Sequence, residues 1–509
     1  MEKVIYEGRM SLKSQTFPLV LGAFFGVTAL ASLFMQPGLG IITILIVLLC
    51  IDFNVLDAQT LTQTQITAIE NAITEEMKVA GIPGVALAIV NDNQVVFEKS
   101  FGLANSQTKI GMTDSSIFQI ASVTKIFTAL TILTELGDAN IGVHEPVGLV
   151  IKGLSPGLSS VTFHQLLTHT SGMIDYTNES DKTEVYDFFK NIGDTILFIE
   201  PDKVFSYSNI GYALLGLAIE QLTGKSYPDA VNKAVIKPLK LNNTTFDFLK
   251  VATKSFSAGH YYDNSKRMFM PIINHYEVPL LQAAGGIFSN LQDLERLTLC
   301  LMNKGEIDGE QVFESDIIEL MSISHAEDFM ASASYYGFMS YPNNAYGYGL
   351  FMFDYGNFRF IGNGGAGTQM TYLIFEPEAK FIMIIISNKA WDLLISSFKK
   401  IWQVVLEEME SVPIDYEIDK KEWKEIAGKY TLPVINKNGL RSVEISEKEN
   451  KLYINFDGSG DIEFEQIGLM AYRYSTPYLR FPIEISFYRE ELEKVAYLRN
   501  IWRTWVKTE

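Results

Sequence analysis

The chain has few cysteines and few basic residues, and both shortages exclude classes of protein. Among its 509 residues there are two cysteines, Cys50 and Cys300. Two thiols in separate apolar stretches give no disulfide framework, so both are expected to be inert packing residues. Lys and Arg number 41 against 60 Asp and Glu, a formal net charge of -19. A nucleic-acid partner would need a basic face for counterion release, so nucleic acid is excluded.

The sequence also lacks the usual patterns of metal sites. Its six histidines are scattered, with no HxH or HExxH pattern and no paired cysteines nearby. Such patterns place metal-ligating side chains together on one helix face or in one loop. The sequence therefore predicts no metal site and no cofactor.

A long stretch near the amino terminus has no charged residue. It lies between Lys13 and Asp52 and contains two apolar runs, residues 17–35 and 39–51. The first run is long enough to span a bilayer, and the basic residues before it favour a cytoplasmic start. The sequence therefore predicts an exported protein, periplasmic or secreted, in which residues 1–58 are a signal segment or an inner-membrane anchor.

Two other interpretations of this segment stay open. If translation starts at Met35, residues 39–51 form the core of a cleaved signal peptide that ends near Ala58. If both runs instead cross the membrane as a hairpin, the rest of the chain returns to the cytoplasm. In the anchored cases the protein associates with the membrane through this segment.

The apolar periodicity predicts an α+β protein, since helical spacing and β-branched runs alternate along the chain. An antiparallel sheet flanked by helices is expected for residues 59–410, and a small β-rich domain for residues 411–509, where short strands are separated by turns rich in Gly, Asn and Glu. The predicted helices are 60–80, 122–136, 211–222 and 291–302, and the predicted strands include 85–90, 94–97, 358–361 and 370–386.

A serine and a lysine three residues apart give the first candidate for catalysis. In Ser122-Val123-Thr124-Lys125, helical spacing places both side chains on one face, so the amine can activate the hydroxyl. Burial would lower the pKa of the lysine and make it a usable base. SxxK also begins at Ser106, Ser396 and Ser397. The first of these lies in a predicted polar turn and the others at a predicted exposed helix end, so context selects Ser122.

Two further elements follow in the chain. In Tyr207-Ser208-Asn209 the phenol can act as a general base beside a lysine, and the amide can hold a substrate carbonyl. The same YxN pattern occurs elsewhere, and a turn tyrosine is the ordinary interpretation of each copy. The third element, Gly362 to Gly367, lies between two predicted strands. Glycines there permit close approach of a substrate to a strand edge, although the stretch taken alone is better explained as a plain tight hairpin.

Together these elements resemble the class C β-lactamase-related family, which also includes D-aminopeptidases, D,D-carboxypeptidases and carboxylesterases. The resemblance covers about residues 60–400, and residues 426–430 resemble the opening of a small β-barrel-like domain appended to some members. Its other matching stretches are Gly81 to Gly84, His164 to Gly172 and Ala284 to Ser289. It implies an antiparallel sheet with flanking helices plus an all-helical subdomain.

The resemblance also implies roles for individual residues. Ser122 is the implied nucleophile of an acyl-enzyme, and Lys125 and Tyr207 the implied proton-transfer groups. Asn209, Asn363, Gly365 and Ala366 are the implied substrate-binding residues, with the N–H groups of Ser122 and Ala366 forming an oxyanion hole. The stretch from His164 to Gly172 is structural in the family and is given no chemistry.

One departure bears on the substrate. Where the family usually has Lys or His, this chain has Asn363, so a cation that could pair with a substrate carboxylate is missing. Ester, amide, D-amino-acid peptide and β-lactam substrates all stay open, with the first two favoured. The alternative function is a membrane-tethered, penicillin-binding-like sensor or cell-wall-binding protein that keeps the pocket and has lost turnover.

Overall fold

The computed structural model describes most of the chain after Gln59. The described ranges are 60–175, 183–263, 265–272, 278–327, 344–389, 394–407, 420–432, 441–468, 470–475, 483–491, 494–500 and 503–508. The amino-terminal segment, residues 1–58, and its predicted role lie outside them. Within these ranges no helix combines the length and the apolar character that crossing a bilayer requires.

An antiparallel sheet forms the centre of the molecule. In the described residues it has nine strands in the order β10-β11-β12-β13-β14-β15-β1-β2-β3, and β4–β7, β5–β6 and β8–β9 form small separate pairs. The strands before residue 400 are β1 (Gly84–Asn91), β2 (Gln94–Asn105), β3 (Ile110–Gly111), β4 (Phe118–Gln119), β5 (His260–Asp263), β6 (Met268–Pro271), β7 (Phe288–Ser289), β8 (Glu306–Ile307), β9 (Glu310–Gln311), β10 (Ala326–Glu327), β11 (Ala345–Tyr346), β12 (Phe351–Tyr355), β13 (Phe358–Ala366), β14 (Met370–Glu376) and β15 (Phe381–Ser387).

Helices cover both faces of this sheet and also pack among themselves. The described α-helices are α1 (Gln63–Ala80), α2 (Thr124–Asp138), α3 (Pro156–Ser160), α4 (Phe163–Leu167), α5 (Val185–Ile192), α6 (Asn209–Thr223), α7 (Tyr227–Val231), α8 (Phe248–Ala252), α9 (Pro279–Gly285), α10 (Leu291–Met302), α11 (Ser315–Met321), α12 (Ile395–Val405) and α13 (Lys420–Ile426). Helix α1 begins with a capping box on Thr62 and ends at Gly81, which has the left-handed φ of 63° common at helix ends.

The central strands are buried on both faces. All residues of β14 and β15 are buried. Leu373 belongs to the core that contains Leu297 of α10, and its neighbour Ile374 to the core that contains Trp402 of α12. Successive side chains of a strand point to opposite faces, so a sheet covered on both sides needs apolar residues at every position. This explains the unbroken apolar run in the sequence.

A closed eight-stranded antiparallel barrel forms the carboxy-terminal region. It has its own apolar core, which contains Trp423 of α13 and Tyr430. The barrel closes where its first strand pairs with its last, with Tyr430 opposite Lys507. Its strands are β16 (Gly428–Leu432), β17 (Arg441–Lys448), β18 (Lys451–Phe456), β19 (Asp461–Gly468), β20 (Ala471–Tyr474), β21 (Ile483–Glu491), β22 (Lys494–Asn500) and β23 (Arg503–Lys507).

The predicted fold class is confirmed, and several element boundaries differ from the predictions. The 370–386 run is two strands, β14 and β15, joined by a turn. The second strand of the first hairpin extends to Asn105. The helix predicted to start at Ser122 instead begins as a 3₁₀ turn, Ala121–Val123, and becomes α-helical at Thr124. Apolar periodicity located each element, but hydrogen bonds to other segments set where each one ends.

Candidate active site

Ser122 lies in the short 3₁₀ turn that leads into α2. The preceding residue, Ala121, has a left-handed φ of 46°, a conformation that is strained for a residue with a Cβ. The chain around it is fixed by hydrogen bonds, because Ile120 N donates to Ile287 O and Ile287 N donates to Thr124 Oγ1. The Ser122 side chain is only half-buried, so an incoming substrate can reach it.

Lys125 follows one turn later, and its side chain is 0% exposed. Its Nζ donates to Ser122 Oγ at 3.2 Å and to Ala284 O at 2.9 Å. Burial lowers the pKa of Lys125 to about 7, while the nearby Asp175 carboxylate opposes that shift. Near neutral pH a substantial fraction of this amine is therefore in the neutral form, whose lone pair can accept a proton.

Tyr207 approaches Ser122 from a different part of the chain. It stands two residues before α6, whose N-cap is Ser208. Its hydroxyl donates to Ser122 Oγ at 3.0 Å, and Lys125 Nζ lies 4.8 Å from the centre of its ring. The three predicted catalytic residues therefore meet at one hydroxyl oxygen.

Asn209 connects this group to a residue that the sequence analysis did not find. Its Oδ1 accepts from Lys125 Nζ at 2.8 Å, and its Nδ2 donates to Asp175 Oδ2 at 3.4 Å. Asp175 Oδ1 also accepts from the backbone N of Asn209 at 3.0 Å. The carboxylate thus fixes which end of the amide faces Lys125. Asp175 lies shortly after the His164 to Gly172 stretch in the chain. Its position next to that motif is the only signal in the sequence that could have identified it.

The glycine-rich stretch forms the end of strand β13 and lies against the serine turn. A Cβ added to Gly365 would stand 2.1 Å from Ile120 O and 3.2 Å from Ser122 N. Only glycine permits that approach, because no side chain fits between the two backbones. Ala366, the next residue, is half-buried beside the same turn. The strand end and the backbone N of Ser122 are therefore close together.

Asn363 lies on the same strand, but its side chain is buried. It is 4% exposed, and its Nδ2 donates to Gly349 O at 2.6 Å. The residue predicted to contact substrate thus bonds the protein backbone in this structure. No positively charged group occupies this position of the strand.

The stretch from His164 to Gly172 holds the segment that leads to Tyr207. His169 O accepts from Ser206 N at 2.8 Å, and His169 Nδ1 accepts from Ser208 N at 3.1 Å. Gly172 has a φ of 70°, and a Cβ there would lie 1.9 Å from Ile199 O. The two segments therefore run in close backbone contact. This contact gives the stretch from His164 to Gly172 a structural role, as the resemblance implied.

The serines of the other SxxK patterns lie elsewhere. Ser396 is exposed, and the other two bond acceptors within the protein. Ser106 Oγ donates to Phe269 O at 2.9 Å, and Ser397 Oγ donates to Glu76 Oε2 at 2.6 Å. The predicted exposure of Ser397 is wrong, since it is 0% exposed in the first turn of α12. Residues 153–157 also match GxSxG, the pattern around the nucleophile of α/β-hydrolases. Its serine, Ser155, donates to Asp194 Oδ1 at 2.6 Å.

Three of the histidines lie close together although they are far apart in the sequence. The ring of His164 stands 4.6 Å from that of His144 and 5.5 Å from that of His325. Burial, together with the two neighbouring imidazoles, lowers the pKa of His164 to about 4. Within the described ranges, no group of three or more His, Cys, Asp or Glu side chains could hold a metal ion.

Comparison with known proteins gives the family of the chain. The beta-lactamase family model matches residues 69–392, well over half of the chain, so the chain belongs to the beta-lactamase family. Protein flp from Staphylococcus aureus is 27% identical over 237 residues, which are 45% of this chain and 47% of that protein. The chain thus spans about half the length of the curated relatives it matches.

Among the solved structures that share the fold are the following two. The octameric penicillin-binding protein homologue from Pyrococcus abyssi has a TM-score of 0.60 at 23% identity, covering 87% of this chain and 100% of that one. D-amino acid amidase from Ochrobactrum anthropi, complexed with D-phenylalanine, has a TM-score of 0.56 at 20% identity, covering 67% of this chain and 99% of that one.

Proposed function

We propose that the protein is a serine hydrolase that acts through an acyl-enzyme on uncharged esters or amides. The observation that carries the proposal is the convergence of Lys125 Nζ and Tyr207 OH on Ser122 Oγ, at 3.2 Å and 3.0 Å. A serine hydroxyl is a weak nucleophile and needs an adjacent base to attack a carbonyl. Here two proton-transfer groups stand at the same oxygen.

The neighbours of Lys125 support its role as the base. Its other two partners, Asn209 Oδ1 and Ala284 O, are both acceptors. A neutral amine has two N–H groups and one lone pair. If those N–H groups serve the two acceptors, the lone pair faces Ser122 Oγ and can take its proton. The lowered pKa of about 7 populates this neutral form at physiological pH.

The reaction then proceeds in two halves. Ser122 Oγ attacks the substrate carbonyl carbon and gives its proton to Lys125 Nζ. The carbonyl oxygen becomes an oxyanion between the backbone N–H groups of Ser122 and Ala366, where each donor is worth about 3 kcal/mol. The bond to the leaving group breaks as Tyr207, re-supplied by Lys125, donates a proton to it. In the second half, water attacks the acyl carbon and its proton passes through Tyr207 to Lys125 Nζ. When the bond between the acyl carbon and Ser122 Oγ breaks, that proton goes to Ser122 Oγ, and the acid is released.

The preference for uncharged substrates rests on Asn363. An amide can donate hydrogen bonds but cannot form an ion pair, and charge-assisted bonds are about twice as strong as neutral ones. Its side chain is also turned to Gly349 O. The carboxylate of a substrate such as a penicillin therefore finds no ion-pair partner at this position, which favours neutral esters and amides. The Ochrobactrum protein that shares the fold is named a D-amino acid amidase, and this supports including amides among the proposed substrates.

The experiment combines covalent labelling with turnover. The purified protein should take up one fluorophosphonate, seen as a single mass increment on intact-mass analysis, and should hydrolyse short-chain p-nitrophenyl esters. Ser122→Ala should abolish both, while Ser396→Ala, at the exposed serine of another SxxK pattern, serves as the matched control that changes neither. Labelling without turnover would favour the sensor-like alternative, and label on Ser122→Ala would refute the assignment of the nucleophile.

A further inference from the structure

The last strand of the barrel touches the segment that carries Tyr207. Thr504, in strand β23, is 0% exposed. Its Oγ1 donates to Phe205 O at 2.7 Å. The barrel and the sheet domain are therefore joined by a buried hydrogen bond two residues away from Tyr207. A second contact lies nearby, because Phe198 packs against both the barrel core and the main core.

The same segment is also held by His169. The backbone O of His169 accepts from Ser206 N at 2.8 Å. The ring of Phe205 meets the ring of His169 edge-on, with centroids 5.5 Å apart. The backbone from Phe205 to Ser208 thus has fixed partners in two different parts of the molecule. The barrel supplies one of them, through Thr504.

We infer that Thr504 is a positioning residue, through which the barrel sets the placement of the Tyr207 phenol against Ser122. The inference rests on the proposed function, since placement matters only if Tyr207 transfers a proton. Proton transfer needs a heavy-atom separation close to the 3.0 Å between Tyr207 OH and Ser122 Oγ. The Phe205 carbonyl lies two residues before this phenol, so a shift of that peptide group moves the phenol. Misplacement of a catalytic group by about 1 Å can cost a hundredfold in rate.

The first test removes the hydroxyl without changing the shape of the side chain. Thr504→Val should lower kcat for a p-nitrophenyl ester about tenfold and leave KM unchanged, because the ester still binds but Tyr207 is misplaced. Thr504→Ser, which keeps the donor, should restore most of the rate. The matched control is Thr508→Val. Like Thr504, Thr508 donates through Oγ1 to a backbone carbonyl, but this carbonyl, Lys429 O, belongs to the barrel itself and the bond is exposed.

The second test separates positioning from general damage. In a Tyr207→Phe background the phenol hydroxyl is absent, so Thr504→Val should reduce the residual rate of Ser122 phosphonylation by the fluorophosphonate no further. In the wild-type background the same substitution should slow that phosphonylation about tenfold. A loss of equal size in both backgrounds would mean a structural effect and would overturn the inference, as would a Thr504→Val enzyme with wild-type kcat.

These outcomes can be distinguished from failure of the proposed function. Activity in the wild type and its loss in Ser122→Ala test the proposed function alone. If those two results hold and Thr504→Val has no effect, only the positioning role is refuted. If the wild type neither acylates nor turns over, the proposed function fails, and the inference fails with it.

Discussion

The imidazole of His169 lies against the phenol ring of Tyr207, with ring centroids 4.2 Å apart and an angle of 33° between the planes. Burial, with a smaller effect from the charge of Lys125, lowers the pKa of His169 well below its ordinary value. The ring therefore stays neutral and accepts from Ser208 N through Nδ1. A neutral ring supports Tyr207 without placing a second positive charge beside Lys125.

The proposed mechanism makes Lys125 and Tyr207 one proton-transfer unit. Lys125→Ala and Tyr207→Phe should each lower kcat/KM by roughly a thousandfold, and the double variant should lose little more. The reason is that both groups act on the same oxygen, Ser122 Oγ. Steady-state kinetics of the four proteins measure the coupling. Losses that multiply in the double variant would show that the two groups act independently.

The pH dependence should report the ionisation of Lys125. Because the neutral amine is the base, kcat/KM should rise with pH and level off above about 7, the pKa to which burial lowers this lysine. The Asp175 carboxylate raises that pKa, so Asp175→Asn should move the rising limb to lower pH. Asp92→Asn removes an exposed carboxylate that pairs with Lys380 and should leave the limb in place. A limb that moves to higher pH in Asp175→Asn would contradict this account.

Substrate choice should depend on Asn363. We expect the ratio of kcat/KM for a neutral p-nitrophenyl ester to that for a penicillin to be well above one in the wild type. Asn363→His and Asn363→Lys should lower this ratio, because each introduces a group that can pair with a carboxylate. If the wild type already prefers the penicillin, or if neither variant changes the ratio, another group binds the carboxylate.

The histidine cluster should make the fold sensitive to acid. In the folded protein, burial and the two neighbouring imidazoles lower the pKa of His164 to about 4, from its ordinary value of 6.5. Between these values the unfolded chain binds a proton that the folded chain does not, so stability is complete above about 6.5 and falls as the pH drops toward 4. Urea unfolding at pH 7 and pH 5 should show this loss, and His164→Gln should reduce the difference between the two. An unchanged difference would assign the acid sensitivity to other groups.

Local patterns were enough to predict much of the fold. The apolar period of three to four residues between Ile69 and Met77 predicts helix α1, and the continuous run from Met370 predicts buried strands, because periodicity reports which faces meet the core. Helix α10 was predicted with its observed bounds, Leu291–Met302. The boundaries at Asn105 and Thr124 were missed. Strand β2 continues until it pairs with β3, where Asn105 lies opposite Ile110, and the side chain of Thr124 accepts from the distant Ile287 N.

Within the candidate site, the sequence by itself determined which residue types were available and their order along the chain. Spacing alone placed Lys125 one helical turn from Ser122, because that relation is local. Only the tertiary structure decided that Tyr207 reaches Ser122 Oγ and that Gly365 lies against the turn that carries Ser122. It also decided that Asp175 orients Asn209 and that the Asn363 side chain is buried. The barrel contact of Thr504 with Phe205 joins residues 299 positions apart. No local pattern encodes such distances, because they arise from how the sheet, the helices and the barrel pack together.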